Sequence, residues 1–132
     1  METSARDSGL LNEADRELIR GIVERSAREN ERERKELARR LKAAREEAAR
    51  LAALMARDPG LKRALLFGSA ATGRGYRSDS DIDLAIEGGD LFACMAAAET
   101  SRFRVDVVEL RRLPPGIRAR AEEEGIVLYE KA

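Results

Sequence analysis

The sequence contains no histidine and no tryptophan, and it has a single cysteine, Cys94. The absence of histidine excludes the Ser-His-Asp and Cys-His groups of nucleophilic enzymes, together with the histidine-containing zinc sites. A lone cysteine excludes a disulfide framework, and Cys94 is expected to be a small buried residue. Any catalysis must therefore come from carboxylates, hydroxyls, lysine or arginine, and bound metal ions.

The chain also lacks net charge and has few aromatic residues. Aromatic residues make up 4% of it, and 25 lysines and arginines balance 25 aspartates and glutamates. Such a balance gives no general attraction for nucleic acid, so nucleic acid is not an expected partner. Neither a signal peptide nor a long apolar run is visible, which predicts a soluble, cytoplasmic protein without a membrane partner. A length of 132 residues suits one compact domain with an appendage.

The N-terminal residues begin with an irregular tail and then take on a helical pattern. Residues 1–9 lack periodicity and are expected to be disordered. Asn12 and Asp15 have the spacing of a helix N-cap residue and its partner three positions further on. Apolar residues then recur at helical spacing over residues 11–23. One interpretation is that this stripe pairs with a second copy of the chain, as a homo-oligomer, or with another protein.

Two further segments extend the helical pattern. Residues 24–36 are almost wholly charged with both signs, which is typical of a solvated helix face. Over residues 37–55 apolar side chains alternate by fours and threes, and this seam is expected to pack on the following sheet. The seam does not share a register with residues 11–23, so the helix either carries a discontinuity or breaks near residues 26–30. The pattern favours a nearly continuous helix that ends at residues 58–60, Asp-Pro-Gly.

Past Gly60, short apolar runs alternate with short helical segments. Strands are predicted near residues 62–67, 81–87, 103–110 and 126–129, and helices from residue 69 and near residues 90–100 and 114–124. This interleaving predicts an α/β (α+β) domain in which helices pack on one side of a small mixed sheet. We therefore divide the chain into an N-terminal tail and charged helical extension, residues 1–36, and a domain, residues 37–132.

Three aspartates lie on or beside the predicted strands. Asp81 and Asp83 are two positions apart, so they share one face of a strand. If the strand at residues 103–110 lies beside it, Asp106 joins the same face. A polar turn explains residues 78–81 alone, but not Asp83 or Asp106 within apolar runs, where an unpaired charge is costly. Neighbouring carboxylates of this kind suit Mg²⁺ or Mn²⁺, which keep open positions for substrate phosphates.

A Gly-Ser pair follows the first predicted strand, and eleven residues separate it from Asp81. Gly68 permits a tight strand-to-helix turn and the close approach of a ligand. The Ser69 hydroxyl and the free N–H groups at a helix start suit a phosphate. Arg74 and Arg77, in the intervening loop, either add positive charge to a triphosphate site or face solvent. The Gly-Ser pair alone is explained by a simple turn, but together with the aspartates it predicts a site for metal and triphosphate.

These features resemble the polymerase-β-like nucleotidyltransferase superfamily, and in particular its small prokaryotic minimal nucleotidyltransferase (MNT) members. The resemblance rests on Phe67-Gly68-Ser69, Asp81-Ile82-Asp83, Asp106 and the ending at residues 124–130, and it covers about residues 40–132. It implies transfer of a nucleoside monophosphate, in particular AMP, from an NTP to an acceptor hydroxyl, with release of pyrophosphate.

The resemblance also implies the roles of individual residues. Catalysis and the binding of two Mg²⁺ (or Mn²⁺) ions would fall to Asp81, Asp83 and Asp106. Asp106 would in addition help to activate the acceptor hydroxyl. The nucleotide-binding residues would be Gly68, Ser69, Arg74 and Arg77. Relatives often carry arginine at the position of Thr72 and have a loop one residue shorter, so this chain departs from the pattern in the loop and not at the acids.

Family members of this size are often antitoxins that silence a HEPN-type ribonuclease toxin by adding AMP to a tyrosine, by binding it, or both. The resemblance therefore implies a nucleotidyltransferase that acts on a protein partner. Two alternatives stay open. One is a non-catalytic binding module that blocks or scaffolds a partner. The other is a small-molecule nucleotidyltransferase of the aminoglycoside-modifying kind, which the absence of a separate acceptor-binding domain disfavours.

Overall fold

The computed structural model describes residues 11–132 and contains two compact units, one ending at Glu36 and the other comprising Leu37–Ala132. The predicted disordered tail at residues 1–9 lies outside the described residues. Helix α1 (Glu13–Met55) runs without a break, so the prediction of a continuous helix is confirmed. Its predicted N-cap is confirmed as well, because the Asp15 amide donates to Asn12 Oδ1 at 2.8 Å and the Asn12 amide to Asp15 Oδ2 at 3.2 Å.

Within residues 11–36 every described side chain is exposed or only partly buried. The apolar stripe is solvent-facing, with Leu18 62% exposed and Val23 59% exposed. Some ion pairs on this segment join residues three positions apart, such as Glu31 and Arg34 at 3.3 Å, and this pair contributes little because both side chains are exposed. No helix within residues 11–132 combines the length and the apolar character needed to cross a membrane.

The second unit is built on a four-stranded mixed sheet. After α1 its elements are, in chain order, β1 (Leu61–Phe67), α2 (Ser69–Thr72), β2 (Ile82–Gly88), α3 (Leu91–Ala98), β3 (Val105–Glu109), a 3₁₀ turn (Leu110–Arg112), α4 (Pro115–Glu124) and β4 (Ile126–Glu130). The strand order is β3-β2-β1-β4. β1 pairs antiparallel with β2 and β4, and β2 pairs parallel with β3 through the α3 crossover. The predicted fold class is therefore confirmed.

The main core lies on the face of the sheet that α1 covers. Residues at intervals of four and three on α1 are buried there, namely Ala44, Ala48, Leu51 and Met55. They pack with strand residues that point to the same side, among them Leu66, Leu84 and Ile86. The prediction that the seam of residues 37–55 packs on the sheet is thus confirmed. Burial of a leucine of this kind contributes roughly 2 kcal/mol to folding.

A second, smaller core lies on the opposite face, so the expectation of helices on one side only was wrong. Its buried members are Leu65, Ala85, Leu110 and Ala121. Ala121 belongs to α4, and Leu65 and Ala85 are paired across β1 and β2. The reason is that β1 and β2 are apolar at consecutive positions, as strands buried on both faces are. Two positions before Ala85 on this second face, Asp83 stays partly exposed.

Candidate active site

The structure brings the three predicted acids to one end of the sheet. Asp83 on β2 and Asp106 on β3 are direct register partners in the parallel pair. Their side chains therefore leave the same face of strands that lie about 4.8 Å apart. Asp81 comes immediately before β2, where the Ile82 amide donates to the Arg104 carbonyl at 2.9 Å and ties the two strand starts together.

Asp83 has unfavourable electrostatic surroundings. Its pKa is raised above the usual value, first by burial and then by the charges of Asp106 and Asp81. Within residues 11–132, neither the Asp83 nor the Asp106 carboxylate accepts a hydrogen bond or forms an ion pair. Asp106 itself is exposed, because β3 is an edge strand. The expectation that its charge would be costly between valines was therefore wrong, whereas the same expectation holds for Asp83.

Asp81 is oriented towards an arginine. Its Oδ1 lies 3.7 Å from Arg104 Nε, with side-chain exposures of 28% for Asp81 and 80% for Arg104. Over residues 11–132, no three His, Cys, Asp or Glu side chains converge as they stand on a point that could hold a metal ion. The donor set, three carboxylates with two at adjacent register positions, nevertheless fits the hard-oxygen chemistry of Mg²⁺ or Mn²⁺.

The Gly-Ser turn lies directly against these acids. Phe67, the last residue of β1, is the register partner of Asp83. Gly68 follows with φ +74°, and a Cβ built on it would lie 2.6 Å from Asp83 Oδ2. Glycine is favoured at this position, because φ is positive and an added Cβ would displace the Asp83 carboxylate. Ser69 then begins α2 and is partly buried.

Arg45 of α1 holds this turn in place and was missed by the sequence analysis. Its Nε and Nη2 donate to the carbonyls of Ala70 and Ala71, each at 2.8 Å. The planar guanidinium fork suits two adjacent carbonyls of a short helix, whose last carbonyls lack partners of their own. In the sequence, nothing distinguishes Arg45 from the other charged residues of the predicted helix. Only the packing of α1 on the sheet places it beside the turn.

A cavity of about 350 Å³, named here the Gly-Ser cavity, opens at the turn. Gly68, Ser69 and Arg74 all line it, so the structure brings these predicted nucleotide-binding residues together. Arg74 Nη2 contacts Glu124 Oε1 at 2.9 Å. Arg77 does not line this cavity and lies instead 3.9 Å from Asp79, with 80% of its side chain exposed.

Residues of α4 complete the Gly-Ser cavity, and none of them was predicted. Ile117, Arg120 and Glu124 line it together with the turn. They carry no recognisable motif, and no local spacing relates them to Gly68. They reach the cavity because α4 packs on the second face of the sheet, which the sequence analysis had left uncovered.

The sequence and the fold are similar to those of known proteins. The family described as Polymerase beta, Nucleotidyltransferase matches residues 49–132. A solved structure described as a candidate minimal nucleotidyltransferase is 32% identical with a TM-score of 0.53, covering 65% of this chain and 93% of that one. A toxin–antitoxin crystal structure with AMP-PNP is 25% identical with a TM-score of 0.51, covering 63% of this chain and 73% of that one. A search of curated proteins found no match.

The matched residues include the Gly-Ser turn and all three aspartates. They also include the four strands that bring these residues to one end of the sheet. The four-stranded mixed sheet with its flanking helices is the architecture expected from the resemblance of the sequence. The chain belongs to the polymerase β nucleotidyltransferase family.

Proposed function

We propose that this chain is a Mg²⁺-dependent (or Mn²⁺-dependent) nucleotidyltransferase that transfers AMP from ATP to a hydroxyl of a protein partner. In this proposal it acts as an MNT-type antitoxin, and the partner is a HEPN-type toxin. The observation that carries the proposal is the direct register pairing of Asp83 and Asp106. Two adjacent carboxylates, neither of them paired with a cation within the described residues, are unfavourable by themselves and suit a site that binds cations.

Asp81, Asp83 and Asp106 would hold the metal ions. Divalent metals bound by such carboxylates neutralise the triphosphate and orient it for in-line displacement. Asp81 would exchange its contact with Arg104 for this role. Asp106, exposed at the sheet edge, is the acid that an incoming acceptor reaches most directly. In this proposal its carboxylate takes the proton of the acceptor hydroxyl.

The nucleotide is assigned to the Gly-Ser cavity. Ser69, Arg74 and Arg120 line it, and a hydroxyl and guanidinium groups suit the terminal phosphates, for which Arg74 would exchange its contact with Glu124. The acceptor oxygen forms a bond to the α-phosphorus, and the bond from the α-phosphorus to the bridging oxygen breaks. Pyrophosphate leaves with that electron pair. Arg77 is exposed and lies outside the Gly-Ser cavity. It remains a proposed contact of the triphosphate, and this contact requires its loop to move.

The protein partner is supported by the similar toxin–antitoxin structure, which contains AMP-PNP. That structure contains a nucleotide analogue together with a toxin–antitoxin system, and one of its chains is similar in fold to this chain. The exposed apolar stripe of residues 11–23 offers this chain an additional surface for a partner. Its pairing with a second copy of the chain stays a prediction.

The test is transfer of label from α-phosphate-labelled ATP, with Mg²⁺, to proteins of the source lysate and to the purified partner. We expect a labelled band with the wild-type chain, and its loss with Asp81→Asn/Asp83→Asn. Glu130→Gln is the control, because Glu130 is exposed, lies outside the cavities beside the acids and forms no side-chain hydrogen bond or ion pair among the described residues. Absence of label with every NTP, with the chain folded and the partner present, would overturn the proposal and favour a non-catalytic binding module.

A further inference from the structure

A second cavity, of about 440 Å³, opens beside Asp81 and is named here the arginine cavity. Its lining combines residues of α1, the loop before β2 and the loop before β3, among them Arg40, Tyr76, Asp81, Arg102, Phe103 and Arg104. It shares no lining residue with the Gly-Ser cavity. Asp81 lines the arginine cavity, whereas Asp106 lines a further cavity of about 350 Å³, which shares Phe103 with the arginine cavity.

The lining of the arginine cavity is rich in guanidinium groups. Three arginines line it against two aspartates, although the chain as a whole has no net charge. Of the two aspartates, Asp79 contacts Arg77 at 3.9 Å and Asp81 contacts Arg104 at 3.7 Å. Arg102 lies over the ring of Phe103, with 5.6 Å from its Cζ to the ring centroid. The positive charge of Arg102 is therefore held in place by the ring without being neutralised by it.

Glu46 and Glu47 line a neighbouring cavity together with Arg102, and the charge of Arg102 contributes to lowering the Glu47 pKa. The Glu47 carboxylate is already bound by Arg50, through two hydrogen bonds of 2.8 Å. Glu47 is thus already hydrogen-bonded to Arg50. The surroundings of Arg102 leave it available to an anionic ligand.

Arg104 connects the arginine cavity to the acids. Its side chain contacts Asp81, and its carbonyl accepts the hydrogen bond of the Ile82 amide at 2.9 Å. It also lies two residues before Asp106 along the chain. A group bound at Arg104 is therefore next to Asp81, which the Arg104 side chain contacts. The Gly-Ser cavity is already assigned to the nucleotide. The position beside Arg104 therefore suits the acceptor, which is the molecule that carries the attacking hydroxyl.

We propose that the arginine cavity receives the acceptor, and that the acceptor hydroxyl is carried by an acidic polypeptide segment. The proposal rests on the proposed function and specifies its substrate. Carboxylates of the segment pair with the guanidinium groups of Arg102 and Arg104, for which the planar fork is well matched. The hydroxyl between them is thereby presented to Asp106.

A polypeptide fits this cavity better than a nucleic acid does. Binding of RNA or DNA depends on several phosphate contacts and on aromatic rings that stack with bases. Here two aspartates interrupt the positive charge of the lining. Of the two aromatic residues in the lining, Tyr76 is 7% exposed and its hydroxyl is turned to the Arg40 carbonyl at 3.5 Å. Phe103 is therefore the one ring of the lining left for stacking with a base, and Arg102 already lies over it.

The test measures binding without chemistry, by fluorescence anisotropy of labelled peptides on the full chain. Mg²⁺ and an α,β-methylene analogue of ATP are present, so that no transfer occurs. One peptide has a tyrosine flanked by glutamates, and the other has the same tyrosine flanked by lysines. We expect the acidic peptide to bind at least tenfold more tightly than the basic one.

Arg102→Glu is the informative variant, because Arg102 contacts none of the three acids. It is expected to weaken the acidic peptide at least tenfold and to strengthen the basic one. Arg111→Glu is its matched control, since Arg111 is an exposed arginine outside the arginine cavity that contacts Glu109 at 3.6 Å. It is expected to change neither affinity.

Equal binding of the two peptides, or equal effects of the two variants, overturns the proposal. So does a uridine oligonucleotide that binds more tightly than the acidic peptide and loses its binding in Arg102→Glu. Failure of the proposed function gives a different result. In that case the acidic peptide binds as expected, while no label passes from ATP to any protein.

Discussion

Gly68 lies so close to Asp83 that a side chain at position 68 would displace the carboxylate. A Cβ there would come within 2.6 Å of Asp83 Oδ2. The Gly-Ser turn and the acids are therefore one structural unit, although the sequence separates them by eleven residues. The glycine is required for the position of Asp83 as much as for any contact with a ligand.

Gly68→Ala is expected to destabilise the chain and to weaken metal binding by displacing Asp83. Gly75→Ala is the matched control, because Gly75 has a similar φ of +71° and nothing within 4 Å of an added Cβ. Alanine is strained at a positive φ in both positions. We expect a larger loss at Gly68, measured by urea denaturation, with weaker Mn²⁺ binding in that variant alone. Equal losses and equal Mn²⁺ affinities would show that the close approach to Asp83 has no consequence.

Asp83→Asn is expected to stabilise the chain in buffer without divalent ions. Because the pKa of Asp83 is raised in the folded state, the folded chain loses stability as pH rises through that pKa. At neutral pH the charge of Asp83 is therefore unfavourable, and its removal should raise the free energy of unfolding, measured by urea denaturation. The gain should disappear in acid, where the carboxyl is protonated in the wild type.

The same variant gives a test of metal binding that does not depend on catalysis. Mg²⁺ is expected to raise the Tm of the wild-type chain and to leave that of Asp83→Asn nearly unchanged, because a ligand that binds only the folded state stabilises it. Scanning calorimetry with and without Mg²⁺ measures both effects. A Mg²⁺ response of the same size in both chains would remove Asp83 from the metal site.

Glu47→Gln is expected to destabilise the chain at neutral pH but not in strong acid. The Arg50 guanidinium, hydrogen-bonded to Glu47, is the main cause that lowers the pKa of this carboxyl from 4.5 to about 2. A lowered pKa contributes stability that is fully present above pH 4.5 and is lost as pH falls towards 2. We expect a loss of about 1 kcal/mol at pH 7, since Arg50 is exposed to solvent.

Urea denaturation of Glu47→Gln and of the wild type, at neutral pH and at several values below pH 4.5, measures this dependence. Glu46→Gln, at the neighbouring exposed glutamate, is the control for a change of net charge. A constant difference between wild type and Glu47→Gln across this range would contradict the assignment of the pKa shift to the folded state.

Removal of residues 1–36 is expected to leave the domain folded. Among the described residues the first buried side chain is Ala44, and both cores lie within residues 37–132. We expect the circular dichroism of the sheet to be retained and the Tm to change by only a few degrees. Light scattering then measures the molar mass of the assemblies that the full and shortened chains form. If residues 11–23 pair with a second copy, the full chain forms the larger assembly. Loss of folding would show that the extension belongs to the domain.

Local pattern was sufficient for the elements and for the identity of the acids. The alternation of Asp81 and Asp83, the Gly-Ser pair and the seam of residues 37–55 are periodic or short-range signals. They predicted the strands and the continuous helix, and they predicted a shared face for Asp83 and Asp106 on condition that their strands were neighbours, which they are. The roles of these residues in catalysis stay predictions.

Other features were decided by the tertiary structure alone. The sequence does not show that α4 covers the second face, that Arg45 binds the Ala70 and Ala71 carbonyls, or that Asp106 lies on an exposed edge. Each depends on contacts between residues far apart in the chain, and no local periodicity encodes which helix packs on which face or which strand ends the sheet. The sequence by itself therefore determined which functional groups are available for chemistry. The packing of α1 and α4 decided which arginines lie beside the Gly-Ser turn and its cavity.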